Sequence, residues 1–175
     1  MKRVLTLAFL LLWSLGALAQ GGSIPLLDKV EGQRVTFHYT YSLSQKGGEF
    51  KSVTDGEVCV EGNAYILEGL GLKVVSDGLV RWTLDEAAKE AVVETVRKED
   101  LFTNPALFIS SYKSYRDKIK VNSAGADSLD VTLTLDEETR ARFLLKNIVY
   151  VEQQGKSSFS MDEKSLSGYL VTDLR

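Results

Sequence analysis

Between residues 33 and 44 the chain alternates strictly. Val35, Phe37, Tyr39, Tyr41 and Leu43 fall on one side, and Arg34, Thr36, His38, Thr40 and Ser42 on the other. A period of two sends successive side chains to opposite faces, so this stretch predicts a half-buried strand. Lys46-Gly47-Gly48 marks a turn, after which residues 49–54 can pair back on that strand. Residues 57–61 alternate again as a third strand carrying Val58 and Val60. Gly62-Asn63 is a hairpin signal, and residues 64–68 follow with Tyr65 and Leu67. Residues 72–84 then read as two strands around Asp77-Gly78, a pair that accepts the positive φ of a tight turn. On the second of these, Val80, Trp82 and Leu84 share one face, while Leu79, Arg81 and Thr83 share the other. Both faces are partly apolar, which predicts a hairpin set inside a larger sheet.

The rest of the pattern extends the same architecture. Residues 23–30 fit a short helix with Pro25 near its first turn, stopped by Gly32. Residues 85–89 predict a turn and 90–97 a strand, because Val92, Val93 and Val96 outweigh the helix propensity of the preceding Ala and Glu. Thr103-Asn104-Pro105 pairs a capping side chain with a first-turn proline and starts a helix to about residue 115, with Leu107, Phe108 and Tyr112 on its apolar side. From Ile119 the pattern returns to strand: 129–135, then 143–150 with an irregularity near Asn147, and a last strand over 169–175. Strands joined at such short intervals make an antiparallel meander, not a parallel βαβ fold. The expectation is mainly β, roughly ten strands with one or two helices, in a single domain without internal repeats.

The first 19 residues stand apart. Met1-Lys2-Arg3 precedes an apolar run over 4–18, and Ala17-Leu18-Ala19 offers the small-x-small pattern of a signal peptidase site. Cleavage after Ala19 removes 19 of the 175 residues and leaves 156, a single domain over 20–175 directed to an exported compartment. No cysteine stands at the cleavage point to carry a lipid. The formal charge of −3 becomes −5 once Lys2 and Arg3 are removed, which argues against nucleic acid and against an electrostatic membrane anchor. Cys59 has no partner for a disulfide and fits a small apolar filler on a strand.

Candidate chemistry is sparse. His38 is the only histidine, and no nucleophile-elbow pattern accompanies it. One histidine and one cysteine do not make a zinc site, so no metal and no cofactor are expected. Gly69-Leu70-Gly71 and Gly47-Gly48 lead into neither Lys-Ser/Thr nor a helix, and read as turns rather than phosphate loops. What remains is a one-sided, aromatic-rich apolar sheet. Such a face either fills an ordinary sandwich or barrel core or lines a greasy cavity, and the pattern alone admits both.

At these residues the chain resembles the outer-membrane lipoprotein carrier (LolA-like) family. The resemblance rests on Leu27-Asp28-Lys29-Val30, on Gly56-Glu57-Val58-Cys59-Val60, on Val75-Ser76-Asp77-Gly78 with Trp82 four residues later, and on the closing Val171-Thr172-Asp173-Leu174-Arg175. It covers residues 26–94 with good spacing. The family implies an unclosed antiparallel β-barrel, a half-barrel under a helical lid, whose apolar interior shields lipoprotein acyl chains crossing the periplasm. It further implies a monomer without enzymatic activity, loaded by an inner-membrane release complex and unloaded to an outer-membrane acceptor. By the resemblance, Val35, Phe37, Tyr39, Tyr41, Val58, Val60, Tyr65, Leu67 and Trp82 are assigned to the acyl-chain cavity, and Leu107 and Phe108 to the lid. Gly62-Asn63 stands where well-studied carriers have an Arg-Pro pair, as in Bacteroidota-like branches, so the arginine latch of the lid is not carried over. A lipoprotein-sensing regulator on the same fold and a secreted hydrolase are the alternatives.

Overall fold

The computed structural model describes residues 24–30, 32–97, 104–162 and 164–175. The signal peptide expected at residues 1–19, its cleavage point and Thr103 of the helix start lie outside the described residues. The alternating stretch becomes β1 (Gln33–Gln45), which lies in the middle of the sheet between β2 (Lys51–Glu61) and β9 (Thr139–Glu152). Consecutive hairpins add β3 (Ala64–Gly69), β4 (Leu72–Ser76), β5 (Val80–Asp85) and β6 (Glu90–Thr95) on one side. On the other side β9 is followed by β8 (Leu129–Thr134) and β7 (Ile119–Ala124). Finally β10 (Leu170–Asp173) lies parallel to β6, so the order is β10-β6-β5-β4-β3-β2-β1-β9-β8-β7. The protein is thus mainly β, a ten-stranded, mostly antiparallel and unclosed sheet. Its last strand departs from the expected antiparallel arrangement because the chain crosses the sheet before pairing.

Helical segments accompany the sheet. Residues expected to form a helix over 23–30 give α1 (Pro25–Asp28), and Asn104 caps α2 (Pro105–Ser111), which continues as a 3-10 segment from Tyr112 to Lys118. We call the sheet face that packs on these helices the inner face. No helix among the described residues is long and apolar enough to cross a membrane.

Two local expectations are corrected. Residues 49–54 and 57–61 are not separate strands but parts of one, β2. Asp55-Gly56 does not turn because Gly56 is pressed against the neighbouring strand: a Cβ there would lie 1.8 Å from the Glu68 carbonyl oxygen. The bare backbone permits that approach and keeps the strand continuous. Nor is Asp77-Gly78 a two-residue turn. Ser76 pairs with Arg81, leaving four residues in the loop. Only Gly78 has positive φ, at 96°, while the Asp77 carboxylate accepts from the N–H groups of Leu79 and Val80 at 2.8 and 2.9 Å. The side chain replaces backbone bonds that a tight turn would have made.

Apolar residues are buried on both faces. The larger core joins α1 and α2 to the inner face of β1, β2, β3, β8 and β9. A second core lies on the outer face, where Val75, Trp82, Leu84, Ala91 and Val93 are covered by Met161, Leu166 and Tyr169. These three belong to the segment between β9 and β10, which is pinned where the Arg34 guanidinium lies 4.8 Å from the ring of the fully buried Phe159.

Candidate functional site

Register decides which apolar residues meet. Val35 lies opposite Val60 and Phe37 opposite Val58; those in turn lie opposite Tyr65 and Leu67. Directly opposed residues point to the same face, so these six share the inner face with Tyr39 and Tyr41. From β9, Leu145 and Phe143 join opposite Tyr39 and Tyr41. Eight of the nine residues assigned to a cavity from the sequence are therefore brought together.

Trp82 is not. It pairs with Val75, Val75 with Ile66, Ile66 with Cys59 and Cys59 with Thr36, which is an unbroken row across the outer face. Trp82 is 8% exposed there, in the second core. The correction follows from turn length. From β2 to β5 the loops leave two, two and four residues unpaired, and each even loop reverses which parity of residue number points inward, so inward positions are even on β2, odd on β3, even on β4 and odd on β5.

One half of the inner face is filled by α2. Asn104 accepts from the N–H groups of Ala106 and Leu107 at 2.9 and 3.4 Å, and Pro105 occupies the first turn. Every residue from Pro105 to Ile109 is buried, including both lid candidates, Leu107 and Phe108. Phe108 stacks on Phe143 with centroids 4.8 Å apart and planes 11° from parallel, and Phe143 also meets Tyr41 at 5.1 Å. A seven-residue helix has little stability of its own, so packing on the sheet is what keeps it helical. Burial raises the phenol pKa of both Tyr39 and Tyr41, leaving them neutral parts of this surface.

The other half is less covered. Leu67, Leu72, Val74, Thr83 and Val92 are half-buried on the same inner face. At the β10 edge Leu170 is 71% and Leu174 60% exposed. Leu72, Val74, Thr83 and Val92 lay outside the sequence-based assignment, yet the same parity count identifies them. One ion pair crosses this region, Arg81 to Glu94 at 2.9 Å, beside the buried Ser76 that faces Tyr65. The inner face is thus apolar where α2 packs on it and mixed beyond, where Leu67, Leu72, Val74 and Val92 stand beside Thr83, Ser76 and the Arg81–Glu94 pair.

A cleft of about 260 Å³ lies at the end of the plug, between α1, the Gly62-Asn63 turn and the last turn of α2. Leu27, Val30 and Ile109 give it an apolar floor, with Asn63, Ser110 and Lys113 around the rim. Here the Tyr112 hydroxyl donates to the Asp28 carboxylate, and the Tyr150 hydroxyl donates to the Leu26 carbonyl oxygen at 2.6 Å. Burial first, then the adjacent Asp28 carboxylate, push the Tyr112 phenol up to about 12.

A second cleft, about 350 Å³, lies around Cys59 and Ile66. Burial pushes the Cys59 thiol pKa up, Arg34 pulls it down less strongly, and Glu61 adds a smaller push, which leaves a poor nucleophile. His38 is on the outer face, 3.4 Å from the exposed Glu57. Among the described residues no three His, Cys, Asp or Glu side chains come together as a metal site. What this arrangement can do is exclude water from an apolar ligand. No family model and no curated protein matches the chain, so the reading of this surface rests on its own geometry.

Proposed function

We propose that the protein is a carrier of acyl chains, with α2 acting as a removable lid over a half-barrel. The observation supporting this reading is the extent of the inner face: apolar side chains continue past those covered by α2 into the half-buried Leu67, Leu72, Val74 and Val92. A contiguous apolar patch that reaches past its cover is a common mark of a ligand-binding groove.

The energetics suit such a role. Each methylene withdrawn from water contributes ~0.8 kcal/mol, so laying roughly ten of them on this face contributes ~8 kcal/mol. That is enough to solubilise an acyl chain, and apolar contact without polar hooks lets the chain leave again for a membrane. The side chains of Leu107 and Phe108 hold the place of the ligand when none is bound. Val35, Phe37, Tyr39, Tyr41, Val58, Val60, Tyr65 and Leu67 form the wall against which the chain lies.

In this reading the cargo is a lipoprotein or lipid in the periplasm, and the partners are an inner-membrane release complex and an outer-membrane acceptor. Binding and release replace chemistry, so no enzymatic step is involved. Native mass spectrometry of the protein purified from its own envelope tests it. Co-purified acylated protein or lipid is the expected outcome. A protein that is always empty, and that takes up no fatty acid or diacyl lipid in vitro, would overturn the reading.

A further inference from the structure

We infer that the hydrogen bond from Tyr112 to Asp28 is the latch that keeps α2 seated, and that the cleft beside it is the port through which an acyl chain reaches the inner face. The inference rests on the carrier reading for its ligand, but the latch itself is a property of the empty protein.

The geometry divides the contacts of α2 into two kinds. Along Pro105–Ile109 it meets the sheet through buried apolar side chains, a non-directional contact that another apolar surface could replace. At its C-terminal end Tyr112 makes a directional bond to a carboxylate on α1. That helix is in turn fixed to β9 by the bond from Tyr150 to Leu26, with the Lys29 ammonium 5.8 Å from the Tyr150 ring. The path from sheet to lid therefore runs Tyr150, α1, Asp28, Tyr112. The raised pKa of Tyr112 keeps its proton in place as the donor.

The cleft lies along this path. Tyr112 itself lines it, together with Leu27 and Val30 of the α1 region and Ile109 of α2. Parting the bond would let α2 swing away from α1 and open the cleft toward the part of the inner face that Leu107 and Phe108 cover. An apolar floor with a polar rim suits an amphiphile that enters tail first and leaves its head at Asn63, Ser110 and Lys113.

Hydrogen exchange of the ligand-free protein tests the latch. Tyr112→Phe should speed exchange of the α2 amides about tenfold, the effect of losing one charge-assisted hydrogen bond, while the β1 amides keep their wild-type rates. Asp28→Ala should do the same, and the double variant should exchange no faster than either single one. Asp28→Asn keeps an acceptor and should restore part of the protection. Unchanged α2 exchange, equal acceleration in β1, or additive effects would each overturn the latch. Uptake of cis-parinaric acid then tests the port: Tyr112→Phe should load faster than wild type to the same final occupancy. Equal loading rates would overturn the port. If neither protein takes up the probe, the carrier reading and the port fail, and the exchange data still decide the latch.

Discussion

Arg34 and Glu61 face each other across β1 and β2, 2.9 Å apart, and together fasten the chain that leaves β9. Arg34 also donates to the Gln154 side chain, to the Gly155 carbonyl oxygen and to the Ser158 hydroxyl, at 3.0 to 3.1 Å. Glu61 accepts from the backbone N–H groups of Gln154 and Gly155 at 3.2 and 3.1 Å. Burial pushes the Glu61 carboxyl up, but the bonds from Arg34 and from these two amides outweigh it and hold the pKa below the ordinary carboxylate value. Removing Arg34 would leave a buried carboxylate without its counter-charge. Arg34→Ala should cost about 3 kcal/mol in urea unfolding. Glu61→Gln, which keeps an acceptor, should cost less. Equal and small effects would reassign the pair to ordinary surface charge.

A second pair gives a pH dependence. Asp130 takes a fork from Arg142, at 2.9 and 2.6 Å, and a bond from Asn122 at 2.9 Å. The Arg142 bond, helped by Asn122, holds the Asp130 carboxyl below its ordinary value despite partial burial. A depressed folded-state pKa stabilises the protein above the unfolded value of about 4, and the contribution is lost as pH falls through the folded one. Arg142 is partly exposed, so solvent screening keeps the magnitude to about 1 kcal/mol. Wild type and Asp130→Asn should differ by this amount at pH 7 and converge below pH about 4 when urea midpoints are compared.

Leu70 offers a gain. It sits in the β3–β4 turn with φ of 54°, is 72% exposed, and precedes Gly71 at φ 76°. Two successive left-handed residues suit Asn-Gly, whereas a leucine there crowds its own Cβ against the backbone. Leu70→Asn should raise stability by roughly 0.5 to 1 kcal/mol, seen as a higher melting temperature without loss of ligand binding. A fall in melting temperature would give Leu70 a contact role instead.

How far the fold was legible depended on the range of the signal. The strand alternation of β1, the Gly62-Asn63 hairpin and the Asn104-Pro105 helix start are local, and each is found where its pattern placed it. Continuity of β2 through Gly56 was hidden, because glycine marks turns and close approaches alike and only the position of Glu68 distinguishes them. The parallel pairing of β10 with β6 joins residues some 80 apart and leaves no local trace. Trp82 was different: its face followed from counting loop residues between strands, and spacing to a familiar motif hid that count. Tyr112 and Asp28 could be placed on helices, but nothing in their spacing brings them together.

The placement of Trp82 has a direct consequence. The chain has two tryptophans, and Trp13 belongs to the expected signal peptide, so Trp82 alone reports in the mature protein. Its emission should already be blue-shifted, since it is buried in the outer core, and should stay unchanged when a fatty acid enters the inner face. Phe108→Trp in a Trp82→Phe background places the reporter under the lid instead and should respond. A ligand-dependent shift from Trp82 with none from position 108 would move binding to the opposite side of the sheet.

Phe108 itself separates a lid from a core. Its ring is 2% exposed and stacked on Phe143, so Phe108→Ala should cost about 3 to 5 kcal/mol in unfolding, as any large buried aromatic would. The two readings diverge on binding. If α2 merely completes the core, the truncation leaves a hole without a purpose, and fatty-acid affinity should fall or stay at zero along with stability. If α2 stands in for the ligand, the truncation removes part of what the ligand must displace. Affinity should then rise several-fold while stability falls, because the protein no longer has to give up the Phe108–Phe143 contact to load. Isothermal titration with a fatty acid beside urea unfolding of the same variant reads both quantities. Opposite signs support the lid, and parallel losses return Phe108 to the core.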